Sequence, residues 1–328
     1  MPKYSLLFLS FIFSCSAIRA LEFIRLEQSD SYWVSTADFS NEDLIAAASS
    51  WGFLKIWDQD GHKIQSLNFK SDHIPSASFS SDGNLIIVTG LFSVRIYNIK
   101  SGELVSKIID DIFGEASLVA FSPQDDKAII ALRSGNSNQN SLEIWDIAKK
   151  TRLFSTHIAG QAKSIKFSCC KTKFVLVYAD SHQTDVFSLQ NGEFLYSLKD
   201  SENKITSASF SNADDSIVVA TGNTVKIYNG MESCKFIITE HTAKLLAAIY
   251  TSNGQHILTA SSDKTVKVWD ANSGDLLDTL EWPIDNKEIY GLVMFNKNAS
   301  KIFTGANDGQ MKVWLLPTPK KFVKSSRN

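Results

Sequence analysis

The stretch His241–Asp270, HTAKLLAAIYTSNGQHILTASSDKTVKVWD, decides how the rest of the chain is read. Apolar residues alternate through Leu246, Ala248 and Tyr250 and again through Val266 and Val268, the period of a strand with one buried face. Between these runs, Ser252-Asn253-Gly254 and Ser262-Asp263-Lys264 supply the short polar side chains and the glycine that tight turns require. The stretch therefore predicts strand, turn, strand, turn, strand.

The pattern recurs along the chain. Seven aromatic residues, each followed by a small polar one, end a first strand: Phe39-Ser40, Phe79-Ser80, Phe121-Ser122, Phe167-Ser168, Phe210-Ser211, Tyr250-Thr251 and Phe295-Asn296, at spacings of 40, 42, 46, 43, 40 and 45 residues. Seven further aromatics close a third strand: Trp57, Tyr97, Trp145, Phe187, Tyr228, Trp269 and Trp314. Two independent markers give the same count, and a period near forty with several strands per unit is that of a β-propeller. Glycines at 61, 102, 192 and 274 follow within a few residues and turn the chain into an outer, fourth strand.

With its opening His241, Tyr250-Thr251-Ser252-Asn253-Gly254 where Phe-Ser-Pro-Asp-Gly is usual, Ala260-Ser261-Ser262-Asp263-Lys264-Thr265 and closing Val268-Trp269-Asp270, the unit resembles a WD-repeat. That resemblance implies an all-β fold, a single seven-bladed β-propeller of four-stranded antiparallel blades. It also implies a structural tetrad of His241, Asp263 and Trp269 with a hydroxyl from Ser261 or Thr259, two apart on one face, Ser261 being the residue assigned. A serine, a histidine and an aspartate together also suggest a catalytic triad, but no nucleophile-elbow or oxyanion signature accompanies them. Other units lack the full set: where blade six has Asp263, the first unit has Trp51 and the fourth Ser181.

The ends differ from the middle. Leu315-Leu316-Pro317-Thr318-Pro319 after the last closing aromatic cannot make an ordinary fourth strand, while Leu21–Leu26, LEFIRL, is a strand without a unit. The family implies that this N-terminal strand completes the last blade. The domain is accordingly expected over residues 21–316, followed by a short basic disordered tail at 317–328.

Residues 1–20 have one early lysine, an apolar run over Leu6–Phe13 broken by Ser10, and small residues near Ala17 and Ala20, the layout of a signal peptide. Export is the expectation: periplasmic in a bacterium, otherwise secreted or in the secretory pathway. A lipid anchor through Cys15 and a cytoplasmic location are the alternatives, and no membrane span is expected in the mature chain. Net charge is −2 over 328 residues, with 21% charged and 44% hydrophobic side chains, so there is no electrostatic case for nucleic acid. Cys169, Cys170 and Cys234, an odd set downstream of the leader, form no disulfide framework.

Catalytic and cofactor signatures are missing from the sequence: it has no G-x-S-x-G, phosphate loop, H-E-x-x-H or dinucleotide glycine pattern, so neither metal nor cofactor is expected. Asp125-Asp126 and Asp214-Asp215 fall in equivalent hairpin turns and read as solvated turn residues rather than a glycosidase pair. Aromatic residues in loops stand out more. Carried over from the family, the loops before first strands and between second and third strands share one face, bringing together Tyr32, Trp33, Trp51, Phe53, Asp72, His73, Leu91, Phe92 and Phe113. The expectation is a non-enzymatic scaffold, monomeric in isolation, that holds a protein or peptide partner on this face. The competing expectation is a propeller enzyme, a hydrolase or cofactor-dependent oxidoreductase, with its site at the central channel.

Overall fold

The computed structural model describes residues 21–26, 33–49, 51–69, 73–90, 92–110, 115–133, 140–230, 233–284, 292–306 and 308–317. Among these residues there are strands and turns, no helix, and hence no helix long and apolar enough to cross a membrane. The expected leader, the tail beyond Pro317, and Tyr32, Asp72, Leu91 and Phe113 lie outside the described residues.

In blade six the period-two pattern produces strands at Leu245–Tyr250, His256–Ser261, Thr265–Asp270 and Leu276–Glu281, ordered in sequence and antiparallel. Blade one repeats this at Val34–Phe39, Ile45–Ser49, Phe53–Trp57 and Lys63–Asn68. Seven such four-stranded sheets form the propeller. Second strands are the most buried, completely so in IAAAS of blade one and SIVVAT of blade five, because they are covered on both faces by neighbouring blades. The turn into the outer strand of blade six passes through Gly274 at φ +76°, where a Cβ would come within 2.9 Å of the Phe236 ring of blade five.

The core is divided between the blades rather than gathered at one centre. Seven hydrophobic clusters each span one gap; that between blades five and six holds Val218, Ala220 and Ile227 against Tyr250, Ile257 and Trp269. Burying apolar surface in the gap between blades seven and one closes the ring, with Phe303, Met311 and Val313 packed on Phe39, Ile45 and Trp57. Glu22–Arg25 is the fourth strand of blade seven and pairs antiparallel with Met311–Leu315, Glu22 facing Leu315 and Arg25 facing Lys312. Leu21 extends the join by donating its N–H to the Glu281 carbonyl of blade six at 2.9 Å.

The hairpin face, where first strands turn into second strands, is laced from blade to blade. Asp125 accepts the Ser81 N–H at 2.9 Å from both carboxylate oxygens, Lys173 pairs with Asp215 at 2.6 Å, and Asn296 donates to Asp43 at 2.9 Å across the ring closure. This corrects the reading of Asp125 and Asp215 as solvated turn residues, while Asp126 and Asp214 are exposed in their turns. Asp125 and Asp215 tie blade two to three and blade four to five, a role that depends on which hairpins become neighbours and so carries no local signal.

Candidate functional site

Blade six shows how its polar core is assembled. The Trp269 indole N–H donates to Thr259 Oγ1 at 2.9 Å, Thr259 lies 2.7 Å from His241 Nε2, and His241 Nδ1 lies 2.7 Å from Asp263 Oδ2. One proton arrangement satisfies every contact: the threonine hydroxyl accepts from the indole and donates to Nε2, leaving Nδ1–H to donate to the carboxylate. Asp263 is held in turn by the Thr242 N–H at 3.1 Å and the Thr265 hydroxyl at 2.6 Å. Burial, outweighing the opposing pull of Asp263, holds the imidazole below its ordinary pKa, as a neutral ring requires.

The hydroxyl is Thr259 and not Ser261. Register explains the correction: Trp269 pairs with Ile257, so Thr259 is two residues further on and Ser261 four, about 13 Å along the strand and out of the indole's reach. Ser261 Oγ instead donates to the Ala243 and Lys244 carbonyls at 3.0 and 3.2 Å and accepts the Asp263 N–H, holding the loop ahead of the first strand. With both histidine nitrogens occupied and no attacking atom presented, the group is a structural lock rather than a triad.

The same register position separates the blades. It is Ala47, Val88, Ile130, Leu176 and Val219 in blades one to five and Thr304 in blade seven, where it accepts the Trp314 indole N–H at 3.0 Å. Blade one therefore leaves the Trp57 N–H buried with no acceptor. Blade four uses a different network, absent from the sequence reading. The buried Tyr178 hydroxyl donates to Asp185 Oδ2 at 2.6 Å, and the Ser197 hydroxyl donates to Asp185 Oδ1 at 2.6 Å. Burial, reinforced by Asp185, raises the Tyr178 pKa far above its usual value. A tyrosine ending a second strand two residues after Leu176 and an aspartate two before Phe187 were the available signals.

The face opposite the hairpins carries the exposed rings. Trp33 is 68% exposed, Trp51 54% and Phe92 55%, whereas Trp57, Trp269, Trp282 and Trp314 are fully buried. Val34 pairs with Ser49, which places Trp33 and Trp51 at the same end of blade one. Trp51 sits in a tight turn in which Gly52 N–H donates to Ser49 O at 3.2 Å and Phe69 N–H to Gly52 O at 2.8 Å. Phe92 occupies the equivalent turn of blade two, bracketed by Gly90 N–H to Ser93 O at 2.8 Å. Of the other expected residues, Phe53 is half-buried at the start of its strand, and half-buried His73 approaches Glu115 at 3.6 Å. Other exposed apolar side chains, such as Leu104, Val105, Phe194, Leu195 and Ile237, are distributed along outer strands of separate blades.

Inside the ring the seven first strands enclose a channel of about 360 Å³ lined mainly by alanine, serine and small aliphatic residues. Its ionisable lining residues are Asp38, Lys163 and Lys166. On the outer rim Asp58, Asp60 and His62 gather three groups of metal-ligand type. They are hydrogen-bonded as an Asx turn, Asp58 Oδ1 accepting from the Asp60 and His62 N–H groups at 3.0 and 2.8 Å.

The WD domain, G-beta repeat family matches residues 232–270, which contain blade six from before His241 to Asp270. Pre-mRNA-processing factor 19 of Oryza sativa subsp. japonica is 28% identical over 144 residues, 42% of this chain and 27% of that protein. The transcriptional corepressor LEUNIG_HOMOLOG of Arabidopsis thaliana is 21% identical over 238 residues, 70% of this chain and 28% of its own. Actin-interacting protein 1 of Drosophila melanogaster is 24% identical over 242 residues, 71% of this chain and 38% of its own. The chain thus spans well under half the length of these relatives. Repeat signature, sevenfold blade order and similarity together place the chain in one family: it is a WD-repeat β-propeller protein.

Proposed function

We propose that this protein is a non-enzymatic interaction scaffold that holds a protein or peptide partner on the face bearing Trp33, Trp51 and Phe92. The exposure of three large aromatic side chains on the loop side of blades one and two is the observation that carries the reading. Rings placed on tight turns are pre-organised, so covering them releases apolar surface from water at little cost in loop entropy. The similarity to WD-repeat proteins supports a scaffold as a class and points to no particular partner. The leader-like residues 1–20 add the proposal that the scaffold acts after export; mass spectrometry of the mature N-terminus tests that separately.

Affinity capture from the native compartment, with Trp51→Ala and Phe92→Ala as comparison baits, tests the surface. Each substitution is expected to weaken capture by at least roughly tenfold, the size of a central interface aromatic. Asp126→Ala on the opposite face should leave capture unchanged; Asp126 is the better control because Asp215 also ties two blades together. Loss of capture in Asp126→Ala with retention in both aromatic variants would move the partner to the hairpin face.

A further inference from the structure

In each first strand the residue before the anchoring aromatic faces the channel, which makes a ring of Asp38, Ser78, Ala120, Lys166, Ser209, Ile249 and Met294. Lys166 is the single cation in that ring. Its ammonium makes no hydrogen bond or ion pair with the described residues; the side chain is half-buried in the channel wall, and desolvation there, only partly offset by Asp38, lowers its pKa. An amine placed this way would ordinarily be neutralised or paired. Asp38 does not pair with it, because its oxygens accept the Phe39 and Phe79 N–H groups, both at 2.9 Å.

The neighbourhood is built for negative charge. Lys163 lies at the point where the strand ladder skips between Ala162 and Ser164, and this bulge turns its side chain to the channel mouth. There it donates to the Thr206 carbonyl at 3.1 Å and is repelled by Lys244 of blade six. Lys297 repels Lys166 from the other end. Asp180, the carboxylate near the mouth, is paired with Lys204 at 3.1 Å. Hydroxyls of Ser164, Thr36 and Ser78 line the same channel and make no hydrogen bond to the described residues, so donors are available within it. The volume, about 360 Å³, falls at the small end of ligand sites, which span roughly 300–1,000 Å³.

We infer that the central channel is a binding site for a small oxyanion, an inorganic phosphate or a short carboxylate, held by the Lys166 ammonium with Ser164, two residues earlier on the same strand, as a hydroxyl donor. Lys163 and Lys244 draw the anion in at the mouth, and the ligand supplies the counter-charge that the fold leaves out. The site is separate from the aromatic face, and the two can fail independently.

The test is thermal melting of the full chain with inorganic phosphate, citrate or acetate, each against sodium chloride at equal ionic strength. An anion bound with a dissociation constant of about 1 mM should raise Tm by roughly 3 °C at 10 mM. Phosphate also stabilises proteins generally by exclusion from their surfaces, so the decisive quantity is the part of the shift that Lys166→Met removes. Complete loss in that variant is expected, with about threefold weaker binding in Ser164→Ala. If Lys166→Met does not fold, line broadening of the phosphate ³¹P resonance by the wild-type chain, reduced in Ser164→Ala and reversed by citrate, gives the same answer. Stabilisation by phosphate alone or by the carboxylates alone names the ligand's source. No shift with any of the three, or an equal shift in Lys166→Met, overturns the inference.

Discussion

Blades one and six share a register and use it differently. Trp57 and Trp269 are both completely buried and pair with Ile45 and Ile257, the same step of equivalent ladders. Two residues further along the second strand, blade six has Thr259 and blade one Ala47. Six residues before the tryptophan, blade six has Asp263, whose carboxylate is turned inward and bonded to His241, while blade one has Trp51, 54% exposed. One turn position thus serves two purposes. Filled by a carboxylate, it locks three strands through a buried network; filled by an indole, it presents a ring to solvent, while Ala47 in place of the threonine leaves the Trp57 N–H without an acceptor.

The largest effect should come from the residue at which the two blades differ most simply. Thr259→Val keeps the shape and removes the hydroxyl, leaving the Trp269 N–H and His241 Nε2 both buried and unpaired. At about 1 to 3 kcal/mol for each orphaned group, a loss near 3 kcal/mol is expected in urea unfolding. Trp269→Phe removes one donor and should cost about 2 kcal/mol, whereas Trp57→Phe deletes an N–H that was already unsatisfied and should stay within about 1 kcal/mol. The reverse order of the two tryptophans would break the comparison.

A smaller effect should follow pH. The folded imidazole of His241 lies below its unfolded value of about 6.5, so the native state binds fewer protons there. Stability from this neutral ring is fully present above about pH 6.5 and is lost as pH falls through the folded value. The urea midpoint should therefore decline between pH 7.5 and 5, and His241→Asn should flatten the decline. An unchanged slope in that variant would mean that the ring does not titrate with folding.

How much of this was legible depends on whether the signal is local. Anchor and closing aromatics, turn glycines and the strand at Leu21–Leu26 are features of a few consecutive residues, and they were enough for blade number and ring closure. Assigning Ser261 rather than Thr259 is the error that sequence alone allows, since both lie on one face and only the ladder register separates them. Lys163 faces the channel because of a bulge, and similar shifts recur at Val34/Thr36, Ala116/Leu118, Ile205/Ser207 and Leu245/Ala247, so strict alternation misplaces residues there. The Asp125 and Lys173–Asp215 clamps join residues about forty positions apart, a distance at which turn chemistry says nothing.

The smallest expected change in stability carries the functional half of the comparison. Trp51→Ala and Asp263→Ala alter the same turn position in the two blades. Asp263→Ala takes the acceptor from His241 Nδ1 and from the Thr242 and Thr265 N–H groups, and should cost about 2 kcal/mol. Trp51→Ala removes a side chain more than half in water from a turn closed by backbone hydrogen bonds, so its stability should remain within about 0.5 kcal/mol of wild type. Partner capture should respond in the opposite order, falling at least roughly tenfold for Trp51→Ala and little for Asp263→Ala under conditions where both chains are folded. Should Trp51→Ala destabilise as much as Asp263→Ala, the exposed ring is part of the framework and the loop face loses its strongest candidate.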